Sequence, residues 1–225
     1  MPGAAPSLVA AHPDVEPHLL PSTGPRAAQR ARILDAISRV VAAKGYAAAT
    51  VTDVVRAARV SRGTFYELFD SKERCFLDAY AHGTDVLLAR VRAGARAASS
   101  DDWRDALRGG MQAYLGTLAA EPLFARTYLL EIHAAGAAAQ ALRDDVLRRF
   151  AEEYARSLRA ARRTDADLRR PTADELFVLA AGIDQLICAR VRDHGVERLP
   201  AETDRFVRTA VALLEGAATT TRSPR

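Results

Sequence analysis

Residues 50–72, TVTDVVRAARVSRGTFYELFDSK, constrain the fold more tightly than any other stretch. Val51, Val54, Val55 and Ala58 form one short apolar stripe at helical spacing, and Phe65, Leu68 and Phe69 form a second. The turn between the two helices is Ala58-Arg59-Val60, so the chain must turn sharply from one short helix into another. Thr50 or Thr52 is placed to cap the first helix, with Asp53 in its first turn. Ser61 is placed to cap the second, and Val60 to pack on the turn that follows. Asp70-Ser71 ends that helix, and Ser71 caps a longer one running through Phe76, Leu77 and Tyr80 to about Ala97.

The rest of the chain is helical by the same reasoning. Ile33, Ile37, Val40 and Val41 predict a helix over 26–44, closed by Gly45 after the basic Lys44. Asp101 or Asp102 opens a helix to about Ala120, and Pro122, a residue suited to a first turn, opens one ending near Gly136. Further helices are expected over about 137–163, from Pro171-Thr172 to His194-Gly195, and from Pro200 to about Gly216. There is no useful strand alternation and no internal repeat. The expected class is all-α, an N-terminal three-helix helix-turn-helix domain over 26–72 and a C-terminal helical domain over 73–218. Residues 1–25 hold six of the ten prolines and read as a flexible leader, and 219–225 as a frayed tail.

Charge is distributed unevenly. Residues 26–72 carry nine Lys and Arg against four Asp and Glu, and the remainder is nearly balanced. A local basic excess is the electrostatic footprint of a polyanion partner. Two cysteines far apart, Cys75 and Cys188, argue against a disulfide framework and fit a reducing cytoplasm. No apolar run is long enough to span a bilayer, and the leader lacks a basic n-region. No membrane partner is therefore expected. No nucleophile–base pair, metal-ligand spacing or phosphate loop marks an enzyme, and no cofactor is implied.

A helix that enters a groove about 12 Å wide amino end first needs compact donors in its first turn. Ser61-Arg62-Gly63-Thr64 has them. Arg62 can pair with guanine or a phosphate, Gly63 lets backbone come close, and Thr64 offers a hydroxyl and a methyl to a base edge. Tyr66 reaches a phosphate oxygen with a rigid arm. Thr50, Thr52 and Lys72 are placed to hold the flanking phosphates, which set register while bases carry sequence.

The run ILDAISRVVAAKGYAAATVTDVVRAARVSRGTFYELFDSKERCFLDAY resembles the DNA-binding domain of the TetR family of bacterial transcriptional regulators. The match is dense at Gly45-Tyr46, Thr50-Val51, Val60-Ser61, Gly63-Thr64-Phe65-Tyr66, Phe69 and Ser71-Lys72-Glu73. Val54-Val55 stands where Ile-Ala is frequent, and Arg59 where Gly is common. Arg59 either holds a positive-φ position at a cost or adds a phosphate contact. The resemblance implies DNA contacts at Thr50, Thr52, Ser61, Arg62, Gly63, Thr64, Tyr66 and Lys72, a homodimer on a palindromic operator, and a C-terminal ligand-binding and dimerisation domain. It implies a cytoplasmic repressor released by a small-molecule effector, with an activator role left open.

For that half, Leu179, Ile183, Leu186, Phe206, Ala210, Leu213 and Leu214 lie on single faces of the last two long helices and are the expected dimer interface. Trp103, Met111, Tyr114, Phe124, Tyr128, His133, Phe150, Ile183 and Asp184 are candidate effector-pocket residues. Asp184, within an apolar stripe, either pairs across the dimer or bonds a polar ligand. Glu131 and His133 are two residues apart and so point to different helix faces, which weighs against a metal role.

Overall fold

The computed structural model describes residues 24–98 and 102–216. The expected leader, save its last two residues, the tail over 219–225 and the candidate cap Asp101 lie outside the described residues. Within them the chain is helical and holds no strand. The first four helices are α1 (Pro25–Lys44), α2 (Val51–Ala58), α3 (Arg62–Leu68) and α4 (Lys72–Arg96). Then come α5 (Trp103–Ala120), α6 (Pro122–Leu129), α7 (Ala137–Ala161), α8 (Ala173–His194) and α9 (Thr203–Glu215).

The caps stand where the sequence places them. Thr50 Oγ1 accepts the Asp53 N–H and donates to Asp53 Oδ2 at 2.7 Å, while the Thr50 N–H donates back to the same carboxylate. Ser61 Oγ accepts the Thr64 N–H at 2.9 Å, and Ser71 Oγ the Arg74 N–H at 3.0 Å. Gly45 closes α1 at φ 82°. Thr172 and Glu175 form a second reciprocal cap at α8.

Two expectations are corrected. The helix opened by Pro122 ends at Leu129, and a separate 3-10 turn covers Glu131–Ala134. Glu131 Oε2 there accepts the Tyr46 N–H at 3.0 Å, a partner 85 residues away that local patterning does not reveal. Pro200 does not open the last helix. It lies inside a 3-10 stretch, Val196–Glu202, and Thr203 Oγ1 donates to its carbonyl before α9 begins.

Two units divide the chain by internal packing: residues through Ala89 together with Thr117–Asp145, and Arg90–Gly116 together with Val146 onward. Residues of α4, α5 and α7 are shared between them. In the first unit, α1 packs on α2 and α6 around the fully buried Ile33, Ile37, Val41, Val54 and Phe65. Phe124 stacks on Tyr128 and Tyr128 on Tyr80, with ring centroids 5.5 and 5.4 Å apart. Gly83 is required there, because a Cβ would strike the Phe124 ring. Arg30 reaches Asp78 at 2.6 Å, tying α1 to α4. In the second unit α8 packs on α9, and α5 is paired to α9 by Arg104–Glu215 and Arg108–Asp204.

Candidate functional site

The helix-turn-helix is a thin shell over a filled core. Phe65 and Phe69 are buried beneath α3 with centroids 5.7 Å apart, and Val54 and Ala58 are buried under α2. That packing turns the other face of α3 outward. Ser61, Arg62, Gly63 and Tyr66 are exposed, Thr64 is half-buried, and Tyr66 shows 46% of its surface. Arg62 lies over the Tyr66 ring, its guanidinium carbon 5.6 Å from the centroid, and its Nη2 is 3.5 Å from the Tyr66 hydroxyl. The pair presents a cation and a phenol on one ridge.

Not every predicted donor is free. The Thr50 hydroxyl proton is engaged by Asp53, so at the amino end of α2 the exposed Thr52 is the open hydroxyl. Ser61 acts as a cap and its oxygen lies 2.9 Å from Thr64 Oγ1. Lys72 Nζ donates to Tyr46 O at 2.8 Å and to Ala49 O at 2.9 Å and sits 4.2 Å from the Tyr46 ring centroid. Two of its three protons thus hold the α1–α2 connection in place. Asp53 receives Lys44 at 2.7 Å, and that hydrogen bond, reinforced by Thr50, lowers its carboxyl to about 2. Arg59 has φ 54°, a left-handed conformation that glycine adopts without cost.

Gly63 needs no special backbone angle, and a Cβ built there would meet only Ser61 Oγ, at 3.5 Å. The fold would accept alanine and gain about 0.5–1 kcal/mol of helix stability.

The effector-pocket candidates separate. Met111, Tyr114 and Phe150 line a narrow cavity of about 50 Å³ in the second unit, together with Leu107 and Tyr154. It opens beside a wider cleft of about 410 Å³ that includes Trp103; the two share Arg92, Ala95, Ala106, Glu153 and Ser157. Phe124 and Tyr128 belong instead to the stacked core of the first unit, and His133 is exposed on its 3-10 turn. Ile183 and Asp184 are buried in α8 and line neither cavity; the Cys188 thiol lies 3.9 Å from Asp184 Oδ2. Polar residues of the cleft such as Arg92, Arg96, Glu153, Arg156, Ser157 and Arg163 escape a search for apolar stripes. Their signal is a second stripe on α7, Glu153, Arg156, Ser157 and Ala160, at helical spacing.

The expected dimer residues also divide. Leu179, Ile183, Phe206, Ala210 and Leu214 are buried within the one chain. Leu186 and Leu213 are exposed, as is Val178 on α8. Both cysteines are buried and free, and burial pushes the Cys75 thiol well above its ordinary range. No helix among the described residues is long and apolar enough to cross a membrane.

Residues 33–79 match the family profile for bacterial regulatory proteins of the tetR family. No curated protein matches the chain in sequence. Solved structures share its fold. The fatty acid degradation regulator FadR from Bacillus halodurans aligns at TM-score 0.73 and 20% identity, over 89% of this chain and all (100%) of that one. FadR from Bacillus subtilis, solved in complex with stearoyl-CoA, aligns at 0.70 and 17% identity, over 82% of this chain and 97% of that one. A tetR-family regulatory protein from Rhodococcus RHA1 aligns at 0.63 and 24% identity, over 85% and 98%. Residues 33–79 thus form an N-terminal domain of the tetR-family type, and the chain shares its fold with those solved regulators.

Proposed function

We propose that the chain is a sequence-specific DNA-binding transcriptional regulator, a cytoplasmic homodimeric repressor that a small-molecule effector releases from a palindromic operator. Gly63 carries this reading. Nothing in the protein's own packing calls for glycine there, so the reason for a bare backbone lies outside the chain, at a surface that approaches it closely. Around it Arg62 and Tyr66 stand outward, Thr64 is partly accessible, and the local charge is positive.

In this reading residues 26–72 form the DNA-binding domain and 73–218 the effector and dimer domain. Arg62 and Thr64 read base edges. Tyr66 and Thr52 hold phosphates, while Thr50, Ser61 and Lys72 present backbone N–H groups and the α1–α2 connection in the right place. Val178, Leu186 and Leu213 meet their copies in a second subunit, which sets two α3 helices about one DNA turn, roughly 34–36 Å, apart. An effector that favours one spacing of the heads shifts the dimer off its site, and α4, whose residues belong to both units, is the coupling element. The stearoyl-CoA complex of the Bacillus subtilis protein supports a small-molecule effector in this fold. The chain works by binding and catalyses nothing.

Fluorescence-anisotropy titration with DNA from upstream of the chain's own gene tests this. Saturable binding that resists non-specific competitor is expected, with a loss of roughly a hundredfold or more on Arg62→Ala plus Tyr66→Ala and an unchanged melting temperature. Binding without sequence preference that survives both substitutions rules the reading out.

A further inference from the structure

The break between α6 and the 3-10 turn after it has no local cause. Tyr128, Leu129, Leu130, Glu131 and Ile132 include neither proline nor glycine, and leucine and glutamate are good helix formers. The helix nevertheless stops at Leu129, and Glu131 opens the turn. A break that local preference does not call for points to a contact made elsewhere in the fold.

That contact is on Tyr46. Glu131 is largely buried, and its Oε2 accepts the Tyr46 N–H at 3.0 Å. Its other oxygen lies 3.5 Å from Nε of Arg126, whose side chain is more than half exposed. Tyr46 is also held from α4. Lys72 Nζ donates to its carbonyl at 2.8 Å, and its ring lies 4.8 Å from that of the buried Phe76. Both backbone polar groups of Tyr46 and its ring are thus engaged. Tyr46 stands between Gly45, which closes α1, and Thr50, which caps α2. All of these residues lie in the first unit, and Glu131 is the one that reaches Tyr46 from beyond α4. Backbone N–H groups and short hydroxyls grip a phosphate only at a fixed distance, so the place of this connection matters to the amino end of α2.

We infer that Glu131 is a positioning residue for DNA binding. Its carboxylate fixes the α1–α2 connection and, through it, the amino end of α2 with Thr50 and Thr52 against the operator phosphates. The role rests on the DNA-binding reading above. Charge alone predicts the reverse, because removing a carboxylate from a protein that binds a polyanion strengthens the complex. The sign of the effect separates the two.

The intact protein and its variants are titrated with the upstream DNA by fluorescence anisotropy, below their melting temperatures. Glu131→Ala should weaken binding roughly tenfold. Glu131→Gln keeps an acceptor at the same reach and should restore affinity to within about twofold of the wild type. Glu131→Asp keeps the charge but falls one methylene short, and should bind like the alanine variant. Arg126→Ala removes an exposed partner and should change affinity by less than about twofold. Hydrogen exchange at the Tyr46 amide reads the contact without DNA. It should be slow in the wild type and in Glu131→Gln, and roughly tenfold faster or more in Glu131→Ala and Glu131→Asp.

Unchanged or tighter DNA binding by a folded Glu131→Ala overturns the inference and leaves the DNA reading standing. So does rescue by aspartate and not by glutamine, which would make the charge the active feature. An unprotected Tyr46 amide in the wild type also overturns it. Should Glu131→Ala fail to fold, Glu131→Asp against Glu131→Gln carries the same comparison. A wild-type chain without selective DNA binding sinks the DNA reading and the positioning role with it, whatever the exchange at Tyr46.

Discussion

In α3 the exposed polar side chains stand outside a filled core, whereas in the α4–α5–α7 cleft they line a space that the core leaves empty. The difference decides what mutation can teach. Phe65 and Phe69 hold α3 from beneath whether or not Arg62 and Tyr66 are present, so recognition there can be changed with stability untouched. The cleft is itself a packing deficit, and filling it should add stability.

The largest effect expected is at the subunit surface. Leu186→Glu plus Leu213→Glu replaces two exposed leucines, each worth about 1.5–3 kcal/mol if buried by a partner, and a two-fold interface repeats the loss. Sedimentation should show dimerisation weakened roughly a hundredfold or more in concentration, with an unaltered monomer fold. A dimer that persists would place the interface elsewhere. Next, Gly63→Ala should raise stability by about 0.5–1 kcal/mol and weaken DNA binding roughly tenfold. Opposite signs in chemical denaturation and in anisotropy are the mark of a surface reader, and a variant that binds DNA normally would remove the principal support for the proposed function.

Arg59→Gly relieves the left-handed strain at φ 54° and should stabilise the fold by about 0.5–1 kcal/mol once glycine's greater chain entropy is allowed for. If Arg59 also touches a phosphate, the slope of log affinity against log salt falls by about one unit. The smallest effect concerns acid. Asp53, held by Lys44 and Thr50, has a folded-state pKa below its ordinary value of 3.8, at about 2. Its contribution is therefore complete above 3.8 and disappears as pH falls toward about 2. In Asp53→Asn the melting temperature should vary less with pH across that window, and an unchanged profile would show that the Lys44 contact does not stabilise the fold.

The head was legible in the sequence because its determinants are local. Thr50 with Asp53, Ser61 with Thr64 and Ser71 with Arg74 are partners three residues apart, and spacing alone finds them. The positive φ at Arg59 was legible only as one of two alternatives. The cleft was hidden because it depends on which helices become neighbours. Phe124 and Tyr128, like Tyr114 and Phe150, are aromatics in helices, yet Tyr128 stacks between Phe124 and Tyr80 while Tyr114 and Phe150 border a cavity. Periodicity also cannot tell a leucine that covers its own core, as Leu214 does, from one left to solvent, as Leu213 is.

Gly94 on α4 and Gly109 on α5 approach so closely that a Cβ on either would collide with the carbonyl oxygen of the other. With no side chains between them, the two backbones have nothing to slide over and no slack to give up. The two glycines therefore set how close the α4 and α5 axes come at this crossing, and a side chain on either would force the helices apart.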